Sequence, residues 1–284
     1  MRLQLKCLPC LLRQIEEALE MSGANEDLKT EIFKKSLETM MHYEDYPSSP
    51  HIAGYLHGMV REMTGCDPYY AVKEKDMETA RVTFPLVEEY ISHKEDKLYW
   101  SLKASACGNA LDAAANPGAV FNESVARELE TPFGICDIEL LREKLKTAKK
   151  VLILADNSGE TYFDLLLIKA LAPAEVVYAV RECPAINDAT VDIAIRSGIE
   201  PYARIISSGS RAPGTILEEA TKEFRDIFDT ADVIISKGQG NYESLDVSGR
   251  EIFYLFKVKC PVISEHFGIE HGKYVFKREQ QTEI

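Results

Sequence analysis

The chain has 284 residues, 45% of them hydrophobic, and a formal net charge of −13 from 33 basic and 46 acidic residues. This length suits one large domain or a core domain with a smaller second part, and no apolar run approaches the ~20 residues that cross a bilayer. The acidic balance and the lack of a basic stripe argue against nucleic acid as a partner. The N-terminal residues lack the apolar stretch of a signal peptide, so a cytoplasmic location is expected.

The first half of the chain shows the apolar spacing that is typical of helices. From Leu8 to Met21 apolar residues recur every three or four positions, and Gly23 provides a stop. A similar pattern follows over residues 26–42, 50–64, 69–93 and 97–115. No sustained alternation of apolar and polar residues stands out here. The sequence therefore predicts an N-terminal helical region over residues 1–147.

The pattern changes at Val151, where five apolar residues to Ala155 form a continuous run. Such a run is expected of a strand that is buried on both faces of a sheet. Similar runs occur at 176–180, 204–207, 233–236 and 262–264. Helix-like segments separate them, at 160–171, 189–197, 214–228 and 242–250. The alternation predicts a Rossmann-like α/β domain over residues 148–284, with a mostly parallel sheet and helices on both faces.

Ligands of such sheets bind at the carboxyl ends of the strands. The first strand is followed by Asp156-Asn157-Ser158-Gly159-Glu160. Carboxylate and amide oxygens suit Mg²⁺ or Mn²⁺, and Gly159 lets the backbone approach a ligand closely. The helix beginning near Glu160 would point its free N–H groups at the same place. The alternative is an ordinary turn in which Asp or Asn caps the helix.

The second strand is followed by a segment that contains Asn187, Asp188 and Asp192. Asp188 stands where the loop turns into the next helix, so it can point at the first loop and act as a third metal ligand. Asp192 would share its helix face but lie one turn further away, which makes it the second choice. Asn187 or Asp188 could equally serve as an N-cap.

The third and fourth strand ends carry groups that suit an anion. Ser208 and Gly209 belong to a small, glycine-containing loop of a kind that can offer backbone N–H groups. Lys237 ends the fourth strand, two glycines and Asn241 follow, and a lysine in this position suits a phosphoryl oxygen. A dinucleotide loop or a plain tight turn is the alternative, but Glu243 stands where the third glycine of a dinucleotide loop would be.

These segments together resemble the metal-dependent damage-control phosphatases, formerly domain-of-unknown-function family 89. The resemblance rests on residues 156–160, 187–190 and 237–243 and covers nearly the whole chain. Cys7-Leu8-Pro9-Cys10 and residues 103–112 resemble the subgroup with a CxxC near its start. The resemblance implies a helical region beside an α/β domain, and a divalent metal on Asp156, Asn157 and Asp188. It also implies removal of phosphate from small phosphorylated metabolites, such as sugar phosphates or related damaged metabolites.

A hypothesis for catalysis follows from these residues. Lys237 would neutralise charge on the phosphoryl oxygens, and Glu160 would orient the attacking water or pair with Lys237. Asp192 is a second candidate for orienting the water. The residues expected to bind substrate or phosphate are Ser158, Gly159, Asn187, Ser208, Gly209, Lys103, Asn109 and Asn241. An oxygen-rich ligand set would accept Mg²⁺, Mn²⁺, Co²⁺ or Ni²⁺.

The chain has seven cysteines, an odd number, which argues against a disulfide framework. Cys7 and Cys10 suggest a redox pair or half of a thiolate metal site; the alternative is two cysteines packed at the start of a helix.

Two other functions compete with the phosphatase. A Rossmann-like methyltransferase could use the glycine turn at Gly238, although that turn follows a late strand. A non-enzymatic metal- or metabolite-binding protein could use the CxxC. No sequence pattern specifies an oligomeric state.

Overall fold

The structure of the protein, a computed structural model, describes residues 1–114, 123–246 and 248–280, with backbone alone at 109–114 and 123–124. Its first part is helical, as predicted. The helices are α1 (Leu8–Met21), α2 (Glu26–Met40), α3 (Ser49–Thr64), α4 (Tyr70–Ser92) and α5 (Lys97–Ala114). Helices α1 to α3 pack their apolar faces into one cluster, in which Ile15, Ile32 and Leu56 are fully enclosed. No helix in the described ranges combines the length and apolarity that a membrane crossing requires.

The remaining elements alternate between helices and strands. They are α6 (Glu123–Glu130), β1 (Phe133–Cys136), α7 (Ile138–Leu145), β2 (Lys150–Leu154), α8 (Glu160–Ala170), β3 (Glu175–Val180), α9 (Val191–Arg196), β4 (Arg204–Ser207), α10 (Lys222–Thr230), β5 (Val233–Lys237), α11 (Gln239–Leu245), β6 (Glu251–Lys257), α12 (Pro261–Phe267) and β7 (Tyr274–Gln280). The strands form one sheet in the order β1-β7-β6-β5-β2-β3-β4, and only the β6–β7 pair is antiparallel. The predicted mostly parallel sheet with surrounding helices is confirmed.

The sheet lies between two apolar layers, which explains the continuous apolar run of its central strand. In β2, Val151 and Ile153 point into the layer on one face, whereas Leu152 and Leu154 point into the layer on the other. Burying each side chain of this size contributes ~1.5–3 kcal/mol. The central strands are therefore fixed by burial on both sides, and polar side chains can gather only where the strands end.

Three details of the predicted element order are wrong. Residues 133–136, inside the predicted helical region 1–147, form β1, which pairs with β7 as part of the sheet. Residues 262–264, predicted as the last strand, belong to α12, because Pro261 occupies a first-turn position and Ile263 packs into the apolar layer on one face of the sheet. The strands β6 and β7 were not anticipated at all. A short apolar run fits a buried helix as well as a buried strand.

Candidate active site

The strand order of the sheet changes direction at β2. Strands β3 and β4 follow on one side of β2, whereas β5 lies on its other side. In open α/β sheets this switch point leaves a crevice beyond the carboxyl ends of the strands. A cavity of about 170 Å³ lies there. It is lined by Ala106, Asp156, Glu160, Gly238, Gln239, Leu255, Phe256, Lys257 and Lys259. The cavity thus has an acidic side from the end of β2 and a basic side from the end of β6.

The loops after β2 and β3 are joined at the switch point. Asn157 and Asp188 pair as an isolated antiparallel bridge. The backbone N–H of Ala189 donates to the carbonyl oxygen of Asp156 over 2.8 Å. The structure therefore brings together the three residues that the sequence suggested as metal ligands, Asp156, Asn157 and Asp188.

Negative charge is concentrated at this junction. Burial, reinforced by the neighbouring Asp188 and Glu160, raises the pKa of Asp156 to about 8. Burial also raises the pKa of Asp188, although the guanidinium of Arg181 opposes that shift. Raised pKa values of this kind are expected of buried carboxyl groups that lie close together, and a nearby cation would lower them.

The donor atoms of the junction suit a hard divalent cation. The amide nitrogen of Asn157 donates to Asp156 Oδ2 (2.9 Å) and Glu160 Oε1 (2.7 Å), so its carbonyl oxygen is the atom it can offer a metal. In the described part of the chain, no three His, Cys, Asp or Glu side chains cluster closely enough to hold a metal by themselves. The protein would thus supply Asp156, Asp188 and the Asn157 amide, and water the remaining ligands, an arrangement that Mg²⁺ commonly adopts.

Glu160 is held by a buried ion-pair network. Lys237, which is 1% exposed, places Nζ 2.6 Å from Glu160 Oε2 and 2.6 Å from Asp164 Oδ1. Ser105 and Tyr178 each donate to Asp164 over 2.6 Å. Burial disfavours the charge of Lys237, but Asp164 and Glu160 outweigh it and raise the lysine's pKa. Lys237 thus faces these carboxylates, and Glu160 lines the cavity in its place.

Asp188 is likewise held by a buried ion pair, in this case with Arg181. Arg181, at the end of β3, donates from Nε to Asp188 Oδ2 over 2.7 Å and from Nη1 to Thr215 over 3.0 Å. Thr215 donates in turn to Asn241 over 2.8 Å, and Asn241 donates to the carbonyl oxygens of Lys237 (2.6 Å) and Ala155 (3.1 Å). The side chain of Asn241, predicted to bind substrate, is therefore fully engaged in tying the loops together.

Several other predicted substrate-binding groups also serve contacts within the protein. Ser158 donates from Oγ to the carbonyl oxygen of Asn187 over 2.7 Å, and Gly159 is the N-cap of α8. The N–H of Ser208 donates to Val180 (2.8 Å), and the N–H of Gly209 donates to the Ser207 hydroxyl (3.0 Å). The hydroxyl of Ser158 and the N–H groups of Ser208 and Gly209 thus have intramolecular partners.

Two predicted residues, Asp192 and Lys103, lie away from the cavity lining. Asp192 is exposed at the start of α9, where it accepts a hydrogen bond from the Thr190 hydroxyl. Lys103 is fully buried, with Nζ 3.4 Å from the centre of the Tyr274 ring. The side chain of Asn109 lies outside the described residues.

The pair Cys7 and Cys10 lies where α1 begins. Cys10 is exposed, and its sulfur accepts long contacts from Arg13 (3.8 Å) and Gln14 (3.7 Å). Among the residues the structure describes, no cluster supplies the further ligands that a thiolate metal site would need. The redox pair and the likeness to the CxxC subgroup stay predictions.

Sequence reasoning missed four charged residues of this region. Asp164 and Arg181 had a visible signal, because each is a charge placed in or directly after an apolar run. Lys257 and Lys259 had none, since β6 was not recognised and its end could not be located. Lys257 is paired with Glu128 over 2.5 Å, whereas Lys259 is exposed and forms no ion pair with any described residue.

Gly238 makes the closest approach to the acidic side, which leads to a testable prediction. Its φ is +84°, and a Cβ atom there would lie 2.2 Å from Cγ of Asp156. We expect Gly238→Ala to displace the Asp156 carboxylate and to weaken Mn²⁺ binding by about 10- to 100-fold, as loss of support around a metal ligand commonly does. Isothermal titration of the purified protein with Mn²⁺ measures this.

Gly249→Ala is the matched control for that substitution. Gly249 also has a positive φ, +71°, but a Cβ there would meet nothing within 4 Å. It should therefore show the same backbone strain with unchanged Mn²⁺ affinity. Equal affinities in the Gly238 and Gly249 variants would mean that the contact with Asp156 is not required for the site.

Comparisons with known proteins agree with the fold. The sequence profile of the damage-control phosphatase ARMT1-like domain matches residues 3–275. Damage-control phosphatase PH1575 of Pyrococcus horikoshii is 32% identical over 289 residues, 99% of either chain. A damage-control phosphatase of Archaeoglobus fulgidus is 31% identical over 287 residues, 98% of this chain and 99% of its own.

A solved structure gives the same result. The crystal structure of PH1575, described as a DUF89 family protein, matches this fold with a TM-score of 0.89 at 31% identity, covering 99% of this chain and 100% of that one. The names of the relatives support phosphatase chemistry here. Because the profile and both relatives span almost the entire sequence, the chain belongs to the damage-control phosphatase ARMT1-like family.

Proposed function

We propose that this protein is a metal-dependent phosphatase that hydrolyses small phosphorylated metabolites, such as sugar phosphates or related damaged metabolites. One observation carries the proposal beyond family membership: Asp156, which adjoins the bridged pair of Asn157 and Asp188, lines one cavity together with Lys257 and Lys259. A divalent cation and a phosphate ester need these two opposite surfaces at the same place. The cavity is small, which suits a metabolite better than a macromolecule.

Asp156, Asp188 and the carbonyl oxygen of Asn157 are the residues that would hold the cation, which is Mg²⁺, Mn²⁺, Co²⁺ or Ni²⁺. Such an ion polarises a phosphoryl oxygen and lowers the pKa of a bound water. The role of the protein is to keep both aspartates in place. Arg181 fixes Asp188 from behind through its 2.7 Å hydrogen bond, and Gly238 leaves room for the Asp156 carboxylate.

Lys259 is the group best suited to bind the phosphoryl oxygens. The net charge of −13 repels anions at long range, so attraction has to come from a cation placed locally. Lys259 is exposed at the cavity and has no carboxylate partner in the described ranges, whereas Lys257 is already paired with Glu128. We therefore assign the phosphate-binding role mainly to Lys259, and a supporting role to Lys257.

Glu160 is positioned to orient the attacking water. Its Oε2 accepts from Lys237 over 2.6 Å and its Oε1 accepts from Asn157 over 2.7 Å, so the carboxylate is fixed in one orientation. Each oxygen keeps a further acceptor site, and Glu160 lines the cavity. Lys237, which the sequence predicts as a phosphate ligand, acts in this proposal through Glu160.

The geometry gives no support to the methyltransferase alternative. The glycine turn at Gly238 would have to leave space for a cofactor, but the carboxylate of Asp156 already fills the position that a Cβ atom would take there. Turnover of a phosphate ester by catalytic amounts of the protein would exclude the non-enzymatic alternative.

The proposal is tested with metal-stripped protein and p-nitrophenyl phosphate, adding Mg²⁺, Mn²⁺, Co²⁺ and Ni²⁺ singly. We expect at least one of them to restore turnover.

Lys259→Ala should reduce kcat/KM by about 10- to 100-fold, because one charge-assisted contact to the phosphoryl group is lost. Lys222→Ala is the control, since Lys222 is exposed on α10 and pairs with Asp226 of the same helix. Folded protein that is inactive with every metal would refute the proposal, and full activity of Lys259→Ala would refute the role of that lysine.

A further inference from the structure

Ile186 has an unusual backbone conformation for its residue type. In the described ranges it is the only residue other than glycine with a positive φ, +50°. The N–H of Asp188 donates to the carbonyl oxygen of Ala185 over 3.0 Å, so residues 185–188 form a tight turn with Ile186 second. Turns with a positive φ at that position favour Gly, Asn or Asp, and a β-branched side chain is strained there.

The side chain of Ile186 explains why isoleucine can occupy this position. It packs against the apolar cluster of the N-terminal helices, although it follows β3 in the chain. Two polar contacts secure the same segment to the helices. Arg61 of α3 donates to the carbonyl oxygen of Pro184 over 2.6 Å, and Asn187 donates to Asp76 of α4 over 3.5 Å. The strained turn is therefore held from the helical side.

The opposite side of the turn faces the candidate metal site. The carbonyl oxygen of Asn187 accepts from both the N–H (2.8 Å) and the hydroxyl (2.7 Å) of Ser158, in the loop after β2. Asp188, the next residue, pairs with Asn157. A change at Ile186 would therefore shift the segment that joins the two metal-binding loops.

We propose that Ile186 is a positioning residue, through which the N-terminal helical region fixes the turn 185–188 and the place of Asp188. The helical region thereby sets the geometry of a site whose ligands all belong to the α/β part. The expected change in metal affinity rests on the proposed function. The contacts that hold the turn 185–188 against the loop after β2 do not depend on it.

Substitutions at Ile186 can distinguish the effect of its positive φ from the effect of its apolar side chain. Ile186→Gly relieves the strain and removes the apolar contact, so a purely conformational role would leave the site unchanged or improve it. If the contact with the helices matters, the glycine variant loses the fixed turn. Ile186→Val keeps most of the contact and should resemble the unaltered protein.

The experiment combines hydrogen exchange with Mn²⁺ titration on the full chain. For Ile186→Gly we expect the amides of Ser158 and Ala189 to exchange about 10-fold faster or more, and Mn²⁺ affinity to fall about 10-fold. Ile186→Val should change neither quantity appreciably. Ile32→Ala is the matched control, because Ile32 is fully buried in the same cluster on α2. It should lower the melting temperature without either local effect.

Unchanged exchange at both amides in Ile186→Gly would overturn the proposal, as would equal local effects in Ile32→Ala. If Ile186→Gly does not fold, Ile186→Ala replaces it with the same expectations. If the unaltered protein binds no Mn²⁺, the proposed metal dependence fails, and the exchange rates still decide the role of Ile186.

Discussion

Replacement of Asp156 by asparagine should remove metal-dependent turnover and, at alkaline pH, stabilise the metal-free protein. Asp156 is the candidate ligand that lines the cavity, and its loss should lower kcat by about 1000-fold, equivalent to several kcal/mol of transition-state stabilisation. Without metal, the same carboxylate lies beside Asp188 and Glu160, so its removal relieves repulsion. Activity and stability should therefore change in opposite directions, which a general folding defect would not produce.

The stabilising effect has a defined pH dependence. The pKa of Asp156 in the folded protein is about 8, above the ordinary value of 3.8. A group with a raised pKa stabilises the fold below its unfolded pKa, and this contribution is lost as pH rises through the folded pKa. Asp156→Asn should thus differ little from the unaltered protein near pH 4 and exceed it at pH 9 by roughly 2 kcal/mol or more.

Urea unfolding of EDTA-treated protein at pH 5, 7 and 9 measures this difference, alongside p-nitrophenyl phosphate turnover. Asp192→Asn provides the matched control, because Asp192 is exposed at the start of α9 and its hydrogen bond to Thr190 is local. It should retain activity and show no alkaline gain. Asp156→Asn protein with normal metal-dependent turnover would exclude Asp156 as a ligand.

Lys237→Met should cause the largest loss of stability of any substitution at the site. Lys237 is 1% exposed and compensates the buried carboxylates of Glu160 and Asp164. Removing one partner of a buried ion pair commonly costs about 3–5 kcal/mol, because the remaining charge is left without compensation. Glu160 would also lose its fixed orientation, so activity should fall together with stability.

Two further variants identify the cause of that loss. Adding Asp164→Asn to Lys237→Met removes one of the uncompensated charges and should restore part of the stability. Lys103→Met replaces an equally buried lysine whose Nζ has no hydrogen-bond partner among the described residues, and it should cost far less. Equal losses for the Lys237 and Lys103 variants, measured by urea unfolding, would show that packing rather than charge pairing is responsible.

The central strands could be predicted from the sequence because burial on both faces leaves a continuous apolar run. The loops after β2, β3 and β5 follow from the carboxyl ends of those strands, which is why Asp156, Asn157 and Asp188 could be named together. The strand β6 is equally apolar, but its run directly follows residues 242–250, which the sequence predicts as a helix. Without β6, the lysines at its end had no predicted place.

Sequence reasoning located polar groups at strand ends but not their partners. Asn241 and Ser208 do lie at such ends, yet neighbouring loops use their hydrogen-bonding groups. Lys237 points to Glu160 and Asp164 because α8 packs beside β5, which no local pattern encodes. The strain at Ile186 was likewise hidden, since it depends on a contact with helices more than a hundred residues earlier in the chain.

If the proposed function holds, the buried charges around Glu160 also determine which cation the site would accept. Asp156, Asp188, Glu160 and Asp164 carry four negative charges when ionised, and Arg181 and Lys237 supply two positive ones. The imbalance of two equals the charge of one divalent ion. A monovalent ion would leave half of it uncompensated, so protons are the main competitors for the site. Metal loading should accordingly release protons, and metal occupancy should fall as the surroundings become more acidic.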